Sequence, residues 1–97
     1  MSLDHARHRL DDVLLHPVRL SIVAALSSVA EAEFGAVRDT VQISDSVLSK
    51  QVVALHPYVL MRKGYVGKRP RSWLRLSKTG RRAYEQHLAA LREIAGD

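Results

Sequence analysis

Cysteine is missing from the 97-residue sequence, which excludes a disulfide framework and any thiolate metal site. No apolar run comes near the roughly 20 residues that span a bilayer. The opening stretch MSLDHARHRL carries acids and histidines where an export signal needs an apolar block, so a cytoplasmic chain is expected. Also missing are a Gly-rich phosphate loop, a nucleophile motif and the HExxH pattern of metal-dependent hydrolases. The adjacent carboxylates Asp11 and Asp12 would point about 100° apart on a helix and could not flank one substrate. With no second domain to form a deep cleft, no enzyme is expected. Internal repeats and low-complexity tracts are absent as well.

The most informative absence is local. From Arg62 to Arg82 there is no Asp or Glu, yet there are nine Lys or Arg. All ten acids lie outside this window, against six of the fifteen bases, within a net charge of +5. A mildly acidic body therefore carries one strongly basic segment. Such polarity suggests a polyanion met by one face.

An apolar content of 46 % is ordinary for a folded chain. The length suits a single domain over 1–97, with a modest core that gains from a partner subunit. Leu3, Ala6, Leu10, Val13 and Leu14 recur at helical spacing, which predicts an amphipathic helix over about 4–15. Pro17 suits the first position of a second helix, with Val18, Ile22, Ala25 and Leu26 on one face; it should fade in SSVAEAE. A third, shorter helix runs from Phe34 to Val41, and its face would be Phe34, Val37 and Val41. Ser44 and Asp45 open a fourth, Leu48, Val52 and Leu55 mark its buried stripe, and Pro57 stops it near Leu55.

Two extended runs follow, Val59–Val66 and Ser72–Leu76, separated by the turn GKRPR, which reads as a hairpin. Ser77 caps a last helix running to about Ala95, with Tyr84, Leu88, Leu91 and Ile94 on its apolar side. The expected class is mainly α with a small β-hairpin. The first and last helices carry apolar stripes that a three-helix middle does not need, and a second copy is the surface expected to cover them. A symmetric homodimer through 1–15 and 77–97 is expected, with Leu3, Leu10, Leu14, Tyr84, Leu88, Leu91 and Ile94 in its seam.

The third and fourth helices, joined by QIS, have the size of a helix-turn-helix over 34–56. With Leu48, Val52 and Leu55 inward, Ser46, Ser49, Lys50 and Val53 face outward, with Gln51 and Val47 on the flanks. Small, polar and singly basic residues let a helix enter a major groove, where Lys and Gln reach base edges. An ordinary solvated helix shows a similar pattern, so the hairpin over 59–76 decides. Backbone N–H groups at Gly67 and the side chains of Lys68, Arg69 and Arg71 suit a phosphate backbone or a minor groove. Pro70 stiffens the tip. Along the second strand Leu74 and Leu76 alternate to one face, Trp73 and Arg75 to the other. A turn serving solubility alone would not exclude every acid over the whole window.

The stretches HPVRLSIVAALSS, EFGAVRDTVQISDSVLSKQVVAL and RKGYVGKRPRSWLRLSKTGRRAYEQH, in that order, resemble the small winged-helix transcriptional regulators related to the MarR and ArsR groups. The likeness runs from about Leu10 to the C-terminus, and GYVGKRPRSWLRLSKTGR is its most specific part. It implies a dimeric regulator of double-stranded DNA, with the fourth helix in the major groove and the wing beside it. Ser46, Ser49, Lys50 and Gln51 would be groove residues; Lys68, Arg69 and Arg71 would be wing residues, with Arg75 behind them on the strand. His56-Pro57 takes the place of a glycine turn that such regulators usually carry, which implies a shortened recognition helix and a displaced first wing strand.

Sensors of the ArsR type bind metal through terminal helices. Here His5 and His8 stand beside Asp4, and His87 lies on the last helix. Without a cysteine motif or a paired His/Asp set on that helix, which is expected to pack near the first, neither metal nor cofactor is expected, and His5 and His8 at the N-terminus read as solvated surface. His16, just before Pro17, reads as a turn residue. A crevice between two copies is the place for a small-molecule effector. Two other readings stay open: a protein-interaction module whose basic wing grips an acidic partner, and an architectural DNA binder with little sequence preference.

Overall fold

A computed structural model describes residues 4–96. Two 3-10 turns, Ala6–Arg9 and Asp12–Leu15, lead into α1 (Pro17–Ser27), β1 (Ala32–Glu33), α2 (Phe34–Val41), α3 (Asp45–Leu55), β2 (Val59–Val66), β3 (Arg69–Leu76) and α4 (Lys78–Ala95). The strands form one antiparallel sheet in the order β1-β3-β2. Ile22, Val23 and Leu26 of α1, Leu48 of α3 and Leu74 of β3 are fully buried together at the centre. Each such side chain stabilises the fold by roughly 1.5–3 kcal/mol through burial.

The helix expected over 4–15 is replaced by the two 3-10 turns, for a local and a distant reason. Locally, His5 Nδ1 accepts from the Arg7 N–H at 3.0 Å and Asp11 Oδ1 accepts from the Val13 N–H at 2.9 Å. Side chains that bond nearby N–H groups in this way compete with helical pairing. At a distance, the Asp11 N–H donates to His87 Nδ1 at 3.0 Å, so it is lost to any helical ladder. Leu14 becomes fully buried in the core of its own chain. Leu3 lies outside the described residues.

The helix-turn-helix forms where the sequence placed it. Val41 is followed by Gln42 in the left-handed region (φ 61°), which ends α2. Ser44 then caps α3 by accepting from the Val47 N–H at 3.2 Å. Arg38 fixes the angle between the two helices. Its guanidinium reaches Asp39 and, across the turn, Asp45, each at 2.8 Å. Hydrogen bonds donated to both carboxylates raise the Arg38 pKa above its ordinary value. The next connection holds a cis peptide at His56–Pro57. α3 ends at Leu55, and β2 pairs with β3 in continuous register from Val59↔Leu76 to Val66↔Arg69.

That register closes on a two-residue turn, Gly67-Lys68, shorter than the GKRPR expected. Gly67 adopts φ +62°, the conformation that the first loop position of a II′ hairpin turn requires. Pro70 sits beyond the reach of β1, where β3 has a neighbour on one side only; there its missing N–H costs no second ladder bond. β1 itself was not expected: two residues pair with Trp73 and Leu74 and broaden the base of the hairpin.

At the root of the wing, the start of α4 is joined to Tyr58. The Ser77 N–H donates to the Tyr58 carbonyl at 2.9 Å. Ser77 Oγ donates to the Pro57 carbonyl at 2.7 Å and accepts from the Gly80 N–H at 3.0 Å. A Cβ at position 80 would stand 2.3 Å from the Tyr58 oxygen, so only glycine permits this approach. On its other side the Tyr58 hydroxyl donates to Asp11 Oδ2 at 2.5 Å. Tyr58, Asp11 and His87 thus tie the N-terminal segment, the wing root and α4 together.

Candidate nucleic-acid interface

Viewed down α3 at about 100° per residue, Ser49, Val53, Ser46 and Lys50 fall within an arc of about 100°, opposite Leu48, Val52 and Leu55. All four are exposed. Ser46 Oγ lies 3.2 Å from Ser44 Oγ, and Lys50 enters no ion pair among the described residues. Gln51 stands apart from this group. It is half-buried, and its Oε1 accepts from Arg19 Nε of α1 at 2.8 Å.

The register sorts the wing into two faces, because directly paired residues share a side of the sheet. One face begins in the core with Val59, Leu74 and Leu76 and continues outward as Met61, Lys63, Tyr65, Pro70 and Ser72. It looks across a cleft of about 950 Å³ at Phe34 and Arg38 of α2 and at Asp45 and Ser49 of α3. The reverse face carries Leu60, Arg62, Arg69, Arg71, Trp73 and Arg75. Lys68 is at the tip, and Lys68 and Arg69 form no ion pair among the described residues.

Several cations of the acid-free window nevertheless have acids beside them, supplied by β1 and the residue before it. Arg62 lies over the Trp73 ring at 4.1 Å and holds Glu31 with two bonds of 2.6 and 3.3 Å. Hydrogen bonding from Arg62 pulls the Glu31 carboxyl below its ordinary range against partial desolvation, and Arg75 adds a weaker pull. Arg71 Nε meets Glu33 Oε1 at 2.9 Å. Arg81 donates to the Ser27 carbonyl at 2.9 Å and so finishes α1. Of the wing residues expected to meet phosphate, Lys68 and Arg69 stand free at the tip, Arg71 holds Glu33, and Arg75 lies at the base of the reverse face, near Glu31.

The histidines fall into structural places. His87, on the helix expected to pack near the N-terminal segment, is buried at 1 % exposure, and its Nδ1 lone pair is occupied by the Asp11 N–H. His16 Nδ1 caps α1 by accepting from the Arg19 N–H at 3.5 Å. Among the described residues no group of three or more His, Cys, Asp or Glu is placed to hold a metal ion. No helix among them is long and apolar enough to cross a membrane.

The expected seam between copies needs correction. Leu14, at 0 % exposure, belongs to the core of the protomer and offers nothing to a second copy. Tyr84 also packs against that core. The side of α4 turned inward is Gly80, His87 and Ala90, rotated from the stripe read in the sequence. Leu88 and Leu91 are half-buried and Ile94 is exposed, beside a half-buried Leu10. Arg9, paired with Glu93 and with Asp4, holds the N-terminal segment along the end of α4.

Sequence reasoning missed the orientation of Lys63 and Tyr65 toward the cleft, and the carboxylates of Glu31 and Glu33 behind the wing. The first depends on the length of the turn. The second has no local signal, since Glu31 lies 31 residues from Arg62 and Glu33 lies 38 from Arg71.

Three helices, the third presented outward, followed by a hairpin packed beside it, define a winged helix-turn-helix. Residues 18–95 match the family model of the winged helix DNA-binding domain, and the chain belongs to that family. No curated protein matches it in sequence. Among solved structures, it is similar to a transcriptional regulator homologue from Pyrococcus horikoshii OT3, with 20 % identity, a TM-score of 0.84, and coverage of 94 % of this chain and 93 % of that one. It also resembles the PcaV transcriptional regulator of Streptomyces coelicolor, solved with its natural ligand (19 %, TM-score 0.69, 92 % and 63 %). A MarR-family transcriptional regulator from Silicibacter pomeroyi is a further neighbour (19 %, TM-score 0.63, 95 % and 65 %). The chain spans about two thirds of the length of these last two. The family is that of a winged helix DNA-binding domain, and these solved structures share the fold.

Proposed function

We propose that this chain is a sequence-specific transcriptional regulator of double-stranded DNA that acts as a homodimer. α3 lies in the major groove, with Ser46, Ser49 and Lys50 toward base edges. The wing tip, Lys68 and Arg69, rests on the backbone or in the minor groove. The observation that carries the reading is the pairing of these two surfaces: an outward helical face that, among the described residues, holds no ion pair, beside an exposed cationic hairpin tip. Lys63, Tyr65 and Ser72 across the cleft from Ser49 suit the phosphate strand between them. Arg71 reaches phosphate by leaving Glu33, while Gln51 supports α3 from the side through Arg19.

Leu10, Leu88, Leu91 and Ile94 form the seam between copies, and a small-molecule effector fits the crevice beside it. Two neighbours support that last point: PcaV is solved with its natural ligand, and NadR with 4-hydroxyphenylacetate. A protection footprint across the gene's own neighbourhood, repeated at several salt concentrations, tests the proposal. A discrete protected site with steep salt dependence is expected. Uniform, salt-dependent coverage would instead indicate an architectural binder.

A second reading is favoured by one observation. The reverse face of the wing already holds two carboxylates, Glu31 and Glu33, so it has the chemistry to grip an acidic protein. Absence of any salt-dependent binding to duplex DNA would leave this reading in place of the first.

A further inference from the structure

Val53 is the most exposed large apolar side chain among the described residues, at 78 %. A single exposed valine is ordinary on a protein surface. This one is β-branched, at a solvent-facing helical position where alanine or a long polar residue would stabilise α3 better. It also sits at the centre of the outward arc, nearly in line with Ser46 and between Ser49 and Lys50. The helical rise puts it about 10 Å beyond Ser46 and about 4.5 Å beyond Lys50, so the set spans about three base pairs at 3.4 Å each.

We infer that Val53 reads the 5-methyl group of a thymine in each half-site. The inference rests on the proposed placement of α3 in the major groove. Base edges in that groove present nitrogen and oxygen donors or acceptors, and thymine alone adds an apolar group there. An isopropyl group facing the cytosine N4 or adenine N6 amine, or the guanine O6, strips water from it and returns no hydrogen bond. Against the thymine methyl the same isopropyl removes apolar surface from water on both sides. Lys50, one turn away, has the chemistry for guanine O6 and N7. The two side chains together select a guanine and a thymine within one or two base pairs of each other.

The test uses the full chain and duplexes that it enriches from a random pool. Each thymine of the enriched site is replaced in turn by deoxyuridine, which removes the methyl and nothing else. At one thymine per half-site the replacement should weaken binding about four-fold, and about fifteen-fold when both half-sites are changed. Val53→Ala should erase the sensitivity at that position and leave every other position as in the parent, a coupling that a double-mutant cycle measures. Position 53 is exposed and alanine favours helix, so the variant should keep the parent's unfolding midpoint or exceed it. Equal responses of parent and variant at every thymine, or no sensitive thymine at all, would overturn the inference while leaving the regulator intact. Failure of the parent to enrich any duplex would overturn the regulator itself, and this inference with it.

Discussion

The outward face of α3 and the wing beside it handle charge in opposite ways. α3 offers one cation, Lys50, among two hydroxyls and a valine, and no ion pair holds that lysine among the described residues. The hairpin and its base bring several cations together, yet Arg62 and Arg71 are held by Glu31 and Glu33. A surface meant to read base edges needs few charges, because a fixed ion pair would have to break before any base is met. A surface meant for phosphate needs many, and carboxylates behind it screen and orient them until a better anion arrives. On the proposed function, the difference separates selectivity, placed on the helix, from attraction, placed on the wing.

Breaking the proposed seam, on which both surfaces depend, should have the largest effect. Leu88→Glu with Leu91→Glu puts charge into the proposed seam, where burial without a partner costs far more than the lost contacts. The variant should be monomeric or unfolded and should not bind the operator at concentrations that saturate the parent. Sedimentation of the parent as a monomer at micromolar concentration, with undiminished specific binding, would remove the dimer from the account. Next comes the wing alone. Replacing Lys68, Arg69 and Arg71 together by Ala should lower the log–log salt slope by roughly 2 to 3 per subunit, at about 0.9 per phosphate contact. An unchanged slope would make the hairpin a solvated turn.

The helix alone should give a smaller but more selective loss. Lys50→Ala is expected to cost about 1–3 kcal/mol on the preferred site and less on random duplex; equal losses on both would turn Lys50 into a phosphate contact. At the joint between the two surfaces, Tyr58→Phe should cost about 1 kcal/mol of stability, low for a bond to carboxylate because the hydroxyl is only partly shielded from water. The bond to Asp11, helped by desolvation, pushes the phenol up to about 12, above its unfolded value of about 10. Its contribution is therefore complete below pH about 10 and is lost as the pH rises through about 12. Denaturation curves of parent and variant should converge over that interval. The smallest effect probes the carboxylates themselves. Glu33→Gln should strengthen duplex binding roughly two-fold by freeing Arg71 from a surface pair, and equal affinity would mean that Arg71 never reaches phosphate.

Most of the α3 geometry was legible because its signals are local. Ser44 caps, Pro57 stops, and Leu48, Val52 and Leu55 recur on one side. The wing was legible as a hairpin but not as a surface with two faces. Reading GKRPR as the turn, instead of Gly67-Lys68, shifts the pairing by three residues, and an odd shift turns every β2 side chain to the opposite face. Under that register Arg62 would face the core; the true one puts Lys63 toward the cleft and Arg62 over Trp73. The N-terminal helix failed for another reason. Its spacing of Leu10, Val13 and Leu14 was sound, but Asp11 gives its N–H to a histidine 76 residues away, and no local pattern announces such a bond. β1 likewise has only two residues and exists because β3 is there to receive it.

The contact between Gly80 and the Tyr58 carbonyl has a mechanical consequence. With no Cβ between them, the first turn of α4 and the chain linking α3 to β2 move as one piece. α4 is then a rigid arm of 18 residues, about 27 Å long, bolted at one end to the root of the wing. A tilt of about 5° about that bolt carries the far end through about 2 Å over this length. In the proposed homodimer, a second copy gripping the far end sets the tilt, and with it the distance between the two reading helices. On the proposed function the gauge of the operator is thus written in the angle of α4, and alanine at position 80 would loosen the bolt without touching a residue of the proposed DNA face.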